Sequence, residues 1–158
     1  MLTRLAGLIS AARRHGRPLS VAMVDIDHFK PLNDEYGHDV GDAALVAITS
    51  ALRERLRAED ELGRLGGDEF LALLPDAGRR AAAVVAESLR ASVEEVRARC
   101  GPHELSATVS VGWATWNGDE SADQLVKRAD IALYSAKDSG RNTVRGADNG
   151  SASLPRRT

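Results

Sequence analysis

The sequence predicts a mixed β-sheet wrapped by helices, an α/β fold of the α+β kind, and three observations predict it. Leu19 to Ile26 is a nearly continuous apolar run of strand length, the pattern of an interior strand covered on both faces. Leu62-Gly63-Arg64-Leu65 and Phe70-Leu71-Ala72-Leu73-Leu74 flank Gly66-Gly67-Asp68-Glu69, which reads as a hairpin. Between such strand-like runs, apolar residues recur at helical spacing, so helices pack on the sheet.

Each element follows from its own pattern. Leu5, Leu8, Ile9 and Ala12 mark an opening helix that ends near Gly16-Arg17-Pro18. After the first strand, Phe29–Tyr36 reads as a short helix, with Asp27 or His28 near its N-cap and Gly37 closing it. Leu45, Ile48, Leu52 and Leu56 mark one face of a longer helix, with Arg57-Ala58-Glu59-Asp60 at its end. The hairpin glycines read as a two-residue turn, because the favoured tight turns need φ > 0. Ala82, Val85, Ala86, Leu89, Val93 and Val96 mark the next helix, with Cys100 near its end. Thr108 to Trp113 alternates as a strand. Leu125, Ala129, Ala132, Leu133 and Ala136 give a last helix, followed by a short strand over Thr143–Arg145. The predicted order is α-β-α-α-β-β-α-β-α-β.

Composition bounds the function. A chain of 158 residues fits one domain with a sizeable core. Residues 1–145 are expected to form that domain, and 146–158, rich in Gly, Ser, Asn and Arg, a disordered tail. The formal net charge of −2 gives no positive excess for nucleic acid or an anionic membrane. Apolar runs fall far below a membrane span and no charged-then-apolar leader opens the chain. One cysteine, Cys100, excludes an internal disulfide framework and a cysteine-based zinc site. A cytoplasmic protein without nucleic-acid or membrane partners is expected.

Two acidic strand ends carry the chemistry. Asp25 lies at the end of the first strand and Asp68 in the hairpin, and neighbouring strands would bring them together. Such an oxygen-donor pair suits Mg²⁺, which takes one or two carboxylates and fills its shell with water and substrate phosphates; solvated turn acids are the alternative. Glycines beside the acids leave room for a phosphate to approach the backbone.

The motifs Asp25-Ile26-Asp27-His28-Phe29-Lys30, Asn33-Asp34, Gly37-His38, Gly41-Asp42, Arg64 to Phe70 and Ala129 to Asn142 occur in order along the chain. In these words the chain resembles the GGDEF domain family, the bacterial diguanylate cyclases, from about Leu5 to Arg145. The resemblance implies a fold related to the nucleotidyl cyclase core and polymerase palm. It also implies condensation of two GTP into cyclic di-GMP with release of pyrophosphate, by two GTP-loaded domains facing each other as a transient or ligand-induced homodimer.

Residue by residue, the resemblance implies that Asp25, the carbonyl of Ile26 and Asp68 bind Mg²⁺ or Mn²⁺, two ions per GTP-bound site. Asp68 is then also the expected proton acceptor, and Glu69 an assisting carboxylate or a solvated turn acid. The amides near Phe29 and Lys30 would meet the phosphates at a helix N-terminus, and the Lys30 side chain would offset charge in the transition state. Lys137 and Arg141 would bind the triphosphate. Asn33 and Asp42, with His38 close by, would read guanine; Asp42 also reads as an N-cap and Asn33 as a helix-end residue.

Arg57 and Asp60 match the family's R-x-x-D inhibitory site, where cyclic di-GMP would bind as product and inhibitor; an ordinary helix-end ion pair is the alternative. Ser88 stands where the family often has a further arginine for product. Leu2-Thr3-Arg4-Leu5 looks like a remnant of the family's opening turn, so the start is expected to be truncated and a sensory domain missing. A non-catalytic module that binds cyclic di-GMP or GTP is the alternative function.

Overall fold

The computed structural model describes residues 1–148 of the chain. Helix α1 (Leu2–His15) leads into β1 (Leu19–Ile26), α2 (Phe29–Tyr36) and α3 (His38–Glu54). Strands β2 (Glu61–Arg64) and β3 (Glu69–Pro75) precede α4 (Arg79–Glu94). A small hairpin of β4 (Ala98–Cys100) and β5 (His103–Leu105) follows, then β6 (Val109–Thr115), α5 (Ala122–Asp138) and β7 (Val144–Gly146).

The central sheet has the order β2-β3-β1-β6-β7. The β1 strand pairs antiparallel with both β3 and β6, and β7 pairs parallel with β6. All eight β1 residues are buried, as expected for a strand covered on both faces. Side chains alternate across the sheet. Ala22, Val24 and Ile26 join Phe70, Ala72, Leu74, Val109 and Val111 against α3 and α4. Val21, Met23, Leu71 and Leu73 join the apolar stripes of α1 and α5 on the other face.

That alternation decides where the acids point. Asp25 follows Val21 and Met23 onto the α5 face, and the register sets it between Glu69 of β3 and Ser110 of β6. Two carboxylates opposite one another on one face repel, so the sheet ends in a built-in electrostatic conflict.

Four sequence expectations shift. Gly66 and Gly67 are not in a two-residue turn with positive φ: residues 65–68 connect β2 to β3, and among the described residues the positive-φ glycines are Gly16, Gly37, Gly101, Gly118 and Gly140. The longer connection is held otherwise, by the Leu65 amide donating to the Glu69 carbonyl at 2.8 Å and by the Arg64 guanidinium donating to the carbonyls of Gly66 (2.9 Å) and Gly67 (2.8 Å). Cys100 closes β4 rather than a helix, because α4 stops at Glu94 and the Gly101-Pro102 turn folds the chain back. Arg57 to Asp60 lies in the α3–β2 connection, since α3 ends at Glu54. Of the tail expected over 146–158, Gly146 closes β7 and Ala147 is buried with its amide donating to the Trp113 carbonyl at 2.8 Å; residues 149–158 lie outside the described residues. No helix among the described residues is long and apolar enough to cross a membrane.

Candidate active site

The end of β1 gathers most of the residues singled out in the sequence. Asp25 is 7% exposed. One carboxylate oxygen, Oδ2, accepts from the Lys137 ammonium, delivered by the last turn of α5. The other, Oδ1, is buried with no hydrogen-bond partner among the described residues. Burial is the main force holding the Asp25 carboxyl above its ordinary range, Lys137 opposes it, and the negative charges of Asp68 and Glu69 add to the rise. A buried carboxylate oxygen without a partner costs free energy and is uncommon in folded proteins. A cation would relieve it.

Neighbouring donors complete the same corner. The Ile26 amide donates to the Asp68 carbonyl at 3.0 Å, which draws the β2–β3 connection over the end of β1. Asp68 and Glu69 are half-buried there. A Cβ on Gly66 or Gly67 would meet nothing within 4 Å, so the space above this connection is open. No group of three or more His, Cys, Asp or Glu side chains among the described residues forms a metal cage. The donors that the motifs singled out at this corner, two carboxylates and the Ile26 carbonyl, are all hard oxygens and would leave the rest of a shell to water and phosphate, as Mg²⁺ commonly has it. The residues fit a hard divalent cation.

Immediately after β1 the chain turns into α2. His28 is its N-cap, in the left-handed region at φ 56°, and supplies no side-chain cap. The first-turn amides of Phe29 and Lys30 thus lack a capping acceptor, and Pro31 has no amide to satisfy. Phe29 is buried and anchors the turn, while Lys30 is exposed.

A single residue, Gly37 at φ 88°, joins α2 to α3 and folds the two helices together. There a Cβ on Gly41 would lie 1.6 Å from Asn33 Oδ1. Only glycine at position 41 lets the Asn33 amide sit against α3, beside Asp42. His38 and Asp42 are four apart and both exposed, on the stripe that continues through Leu45, Val46, Thr49 and Arg53. These last four line one wall of a cleft of about 470 Å³, whose other wall includes Leu62 and Arg64 of β2. Asp42 lies inside α3, which begins at His38, so it is not an N-cap, and Asn33 sits within α2 rather than at its end.

On the opposite side of the Asp25 corner, α5 ends and Arg141 and Asn142 both take positive φ, 64° and 44°. Arg141 is exposed. Of the two residues expected near the α2 N-cap, His28 takes that place, and Asp27 is instead a buried clamp, 8% exposed. Its carboxylate accepts from Thr108 Oγ1 (2.6 Å), Ser110 Oγ (2.7 Å) and the Asn142 amide (3.0 Å). The available signal was the spacing Asp25-x-Asp27, which sends both carboxylates to one face of β1.

Arg57 and Asp60 are not brought to this corner. They lie beside Pro75, at the far end of β3 from Glu69, roughly 20 Å away along the strand. The Asp60 side chain is fully buried and accepts from the Arg57 amide (2.9 Å) and Arg57 Nη2 (3.1 Å). Arg57 Nη2 also donates to the Pro75 carbonyl at 2.9 Å, yet the Arg57 side chain stays about half exposed.

Comparison with known proteins bears on most of the chain. The family model described as "Diguanylate cyclase, GGDEF domain" matches residues 1–143. Diguanylate cyclase A of Treponema denticola is 40% identical over 137 residues, which are 86% of this chain and 37% of that protein. The chain therefore spans little more than a third of that curated relative. Among solved structures, the diguanylate cyclase SiaD of Pseudomonas aeruginosa, in complex with its activator SiaC, superposes with a TM-score of 0.89 at 44% identity, covering 92% of this chain and 56% of that one. The GGDEF domain of DgcB from Caulobacter crescentus, in complex with c-di-GMP, superposes with a TM-score of 0.87 at 31% identity, covering 91% and 86%.

Proposed function

Because this chain belongs to the GGDEF domain family, we propose that it is a diguanylate cyclase domain that condenses two GTP into cyclic di-GMP and releases pyrophosphate. The observation that carries the reading is the end of β1. A buried carboxylate with one unpartnered oxygen meets a second acidic strand end, an uncapped helix N-terminus and Lys137 from the last turn of α5, with Arg141 in the turn that follows. Such a collection of mutually repelling and desolvated groups costs stability, and a metal-bound triphosphate is the ligand that resolves all of it.

In this reading Asp25, the Ile26 carbonyl and Asp68 hold Mg²⁺ or Mn²⁺, two ions per site. Bound there, the metal neutralises phosphate charge and lowers the pKa of the attacking hydroxyl. The amides of Phe29 and Lys30 receive phosphate oxygens at the α2 N-terminus. Lys30, Lys137 and Arg141 surround the triphosphate, and Lys30 offsets charge that develops as the bond to pyrophosphate breaks. The open space over Gly66 and Gly67 lets the nucleotide approach the backbone. Asp68 accepts the proton from the 3′-hydroxyl, whose oxygen then bonds to the α-phosphorus of the other GTP, with Glu69 assisting as a neighbouring carboxylate.

Guanine recognition belongs to Asp42 and Asn33, with His38 on the same face. A carboxylate accepts from guanine N1–H and the 2-amino group, donors absent from adenine at those positions, so the wrong base leaves the acceptor unpaired. The apolar wall of the neighbouring cleft is continuous with that stripe of α3.

Each domain holds one GTP, so two copies must meet face to face. Product inhibition belongs to the Arg57 region, with one change of emphasis. The Asp60 carboxylate is already engaged by Arg57, so Asp60 holds the arginine in place and Arg57 offers its exposed donors to product phosphate. Intact acids, lysines and the guanine-reading pair favour turnover over a purely binding module.

The test is turnover of GTP with Mg²⁺ at several protein concentrations, by wild type and Asp68→Asn. Specific activity that rises with concentration, with no product from the variant, is the expected outcome. Product from the variant at the wild-type rate would overturn the assignment of Asp68. Activity flat with concentration in a monomeric sample would overturn the two-domain reading.

A further inference from the structure

The buried Asp27 carboxylate has no place in the chemistry above, yet it binds three separate segments together. Its own amide donates to the Thr108 carbonyl at 2.9 Å, while its side chain receives the Thr108 and Ser110 hydroxyls of the β6 region and the amide of Asn142. The last of these is the informative one. Asn142 belongs to a turn in which two successive non-glycine residues, Arg141 and Asn142, hold positive φ. Such residues are uncommon in that region and persist where surrounding contacts enforce them.

Two contacts enforce this turn from opposite sides. Asp27 takes the Asn142 amide from the sheet side. Arg90 of α4 donates to Asn142 Oδ1 at 2.8 Å from the helix side, with its guanidinium steadied by Glu87 at 2.7 Å. Between them the backbone at 141 is fixed, and with it the direction in which the exposed Arg141 side chain leaves the fold. The same turn terminates α5, whose last turn carries Lys137 to Asp25.

Resting on the GTP-binding reading of this corner, we propose that Asp27 is a positioning residue: it pins the Arg141–Asn142 turn against the end of β1, so that the basic arm of the site is already aimed at the triphosphate before nucleotide arrives. It touches no reacting atom. Its contribution is preorganisation, which spares the bound state the cost of ordering the turn. The expected signature is selective, because a lost arm weakens grip on the distal phosphates and leaves the base-reading end on α2 and α3 untouched.

The experiment measures GTP and GMP affinity by calorimetry, with Mg²⁺, for wild type, Asp27→Ala, Asp27→Asn and Asn142→Gly, the GTP supplied as its α,β-methylene analogue, which cannot release pyrophosphate. Asp27→Ala removes every acceptor and should weaken GTP roughly tenfold, the size of one charge-assisted hydrogen bond, while GMP affinity stays within about twofold by the same reasoning. Asp27→Asn keeps an acceptor for the Asn142 amide and should recover most of the loss. Asn142→Gly retains the amide and the positive φ but loses the Arg90 contact, and should weaken GTP less than Asp27→Ala does. Adding Arg141→Ala to Asp27→Ala should cost little more than Arg141→Ala alone, as required of residues acting through one another. Equal losses for GTP and GMP would reduce Asp27 to a general fold residue and overturn the proposal, and so would full GTP affinity in Asp27→Ala. If wild type itself binds neither nucleotide, the GTP-site reading falls first, and the positioning role falls with it.

Discussion

Replacing Asp25 by asparagine should make the metal-free protein more stable while removing its activity. The carboxylate is 7% exposed, faces Glu69 in register across β1 and β3, and leaves Oδ1 without a partner. Asparagine keeps a buried oxygen there but carries no charge, so it removes the cost of burying the charge beside Glu69, about 1–3 kcal/mol. Against that stands the pair with Lys137, whose side chain is 33% exposed, and a partly solvated pair contributes about 0–1 kcal/mol. Burial wins. The net gain for Asp25→Asn is then about 1–2 kcal/mol, or a rise in Tm of about 2–8 °C for a domain of this size. The pH dependence has a definite sign. A carboxyl whose value is raised on folding holds its proton in the folded state where the unfolded chain has released it, so stability falls as pH rises through that window and the whole penalty is present at neutral pH. Thermal unfolding by circular dichroism in excess chelator, from acid to neutral pH, should show the two proteins converging at low pH and separating as pH rises. Added Mg²⁺ should raise the wild-type Tm by mass action and leave the variant unmoved. A variant that melts below wild type at neutral pH in chelator would refute the reasoning, because the Lys137 pair would then outweigh the cost of burial.

Asp42→Ala should weaken GTP binding more than ATP binding in a calorimetric titration, and equal losses would take Asp42 out of base selection. Gly41→Ala should leave thermal stability unchanged or slightly raised, since alanine is favoured over glycine in a helix by about 1 kcal/mol, yet lower GTP affinity because its Cβ displaces the Asn33 amide from a position 1.6 Å away. Arg57→Ala should relieve inhibition by added cyclic di-GMP in a turnover assay and lower Tm, because the buried Asp60 Oδ1 loses its partner; undiminished inhibition would return Arg57 to an ordinary turn residue. Asp60→Ala should relieve it too but melt measurably lower, by about 2–8 °C, because it strips the buried acceptor from the Arg57 amide.

The layered fold was legible where one period ran long enough to be unambiguous. Leu19–Ile26 and Phe29–Tyr36 were read with the bounds the structure gives them, because an unbroken apolar octet and a glycine-closed helix leave few alternatives. The β4–β5 hairpin was missed because three-residue strands show no alternation, and only Gly101-Pro102 marked it. The glycines at 66 and 67 were explained by the wrong property. Their backbone needs no positive φ, and what they contribute is open space. Within the site, the residues of one local motif were readable together, whereas Asp27 depends on partners 81, 83 and 115 positions along the chain. No window of sequence holds that information. Asp60 was legible as a partner of Arg57 but not as a buried one, since its burial comes from the end of β3 packing over the α3–β2 connection.

The central claim is tested most directly by resolving the products formed from GTP with Mg²⁺, using the chain fused behind a dimerising coiled coil so that two domains meet at high effective concentration. The account requires one cyclic di-GMP for every two pyrophosphates released, with none from Asp68→Asn and none in excess chelator. A well-folded, dimeric fusion that binds GTP and yields no cyclic di-GMP would contradict it.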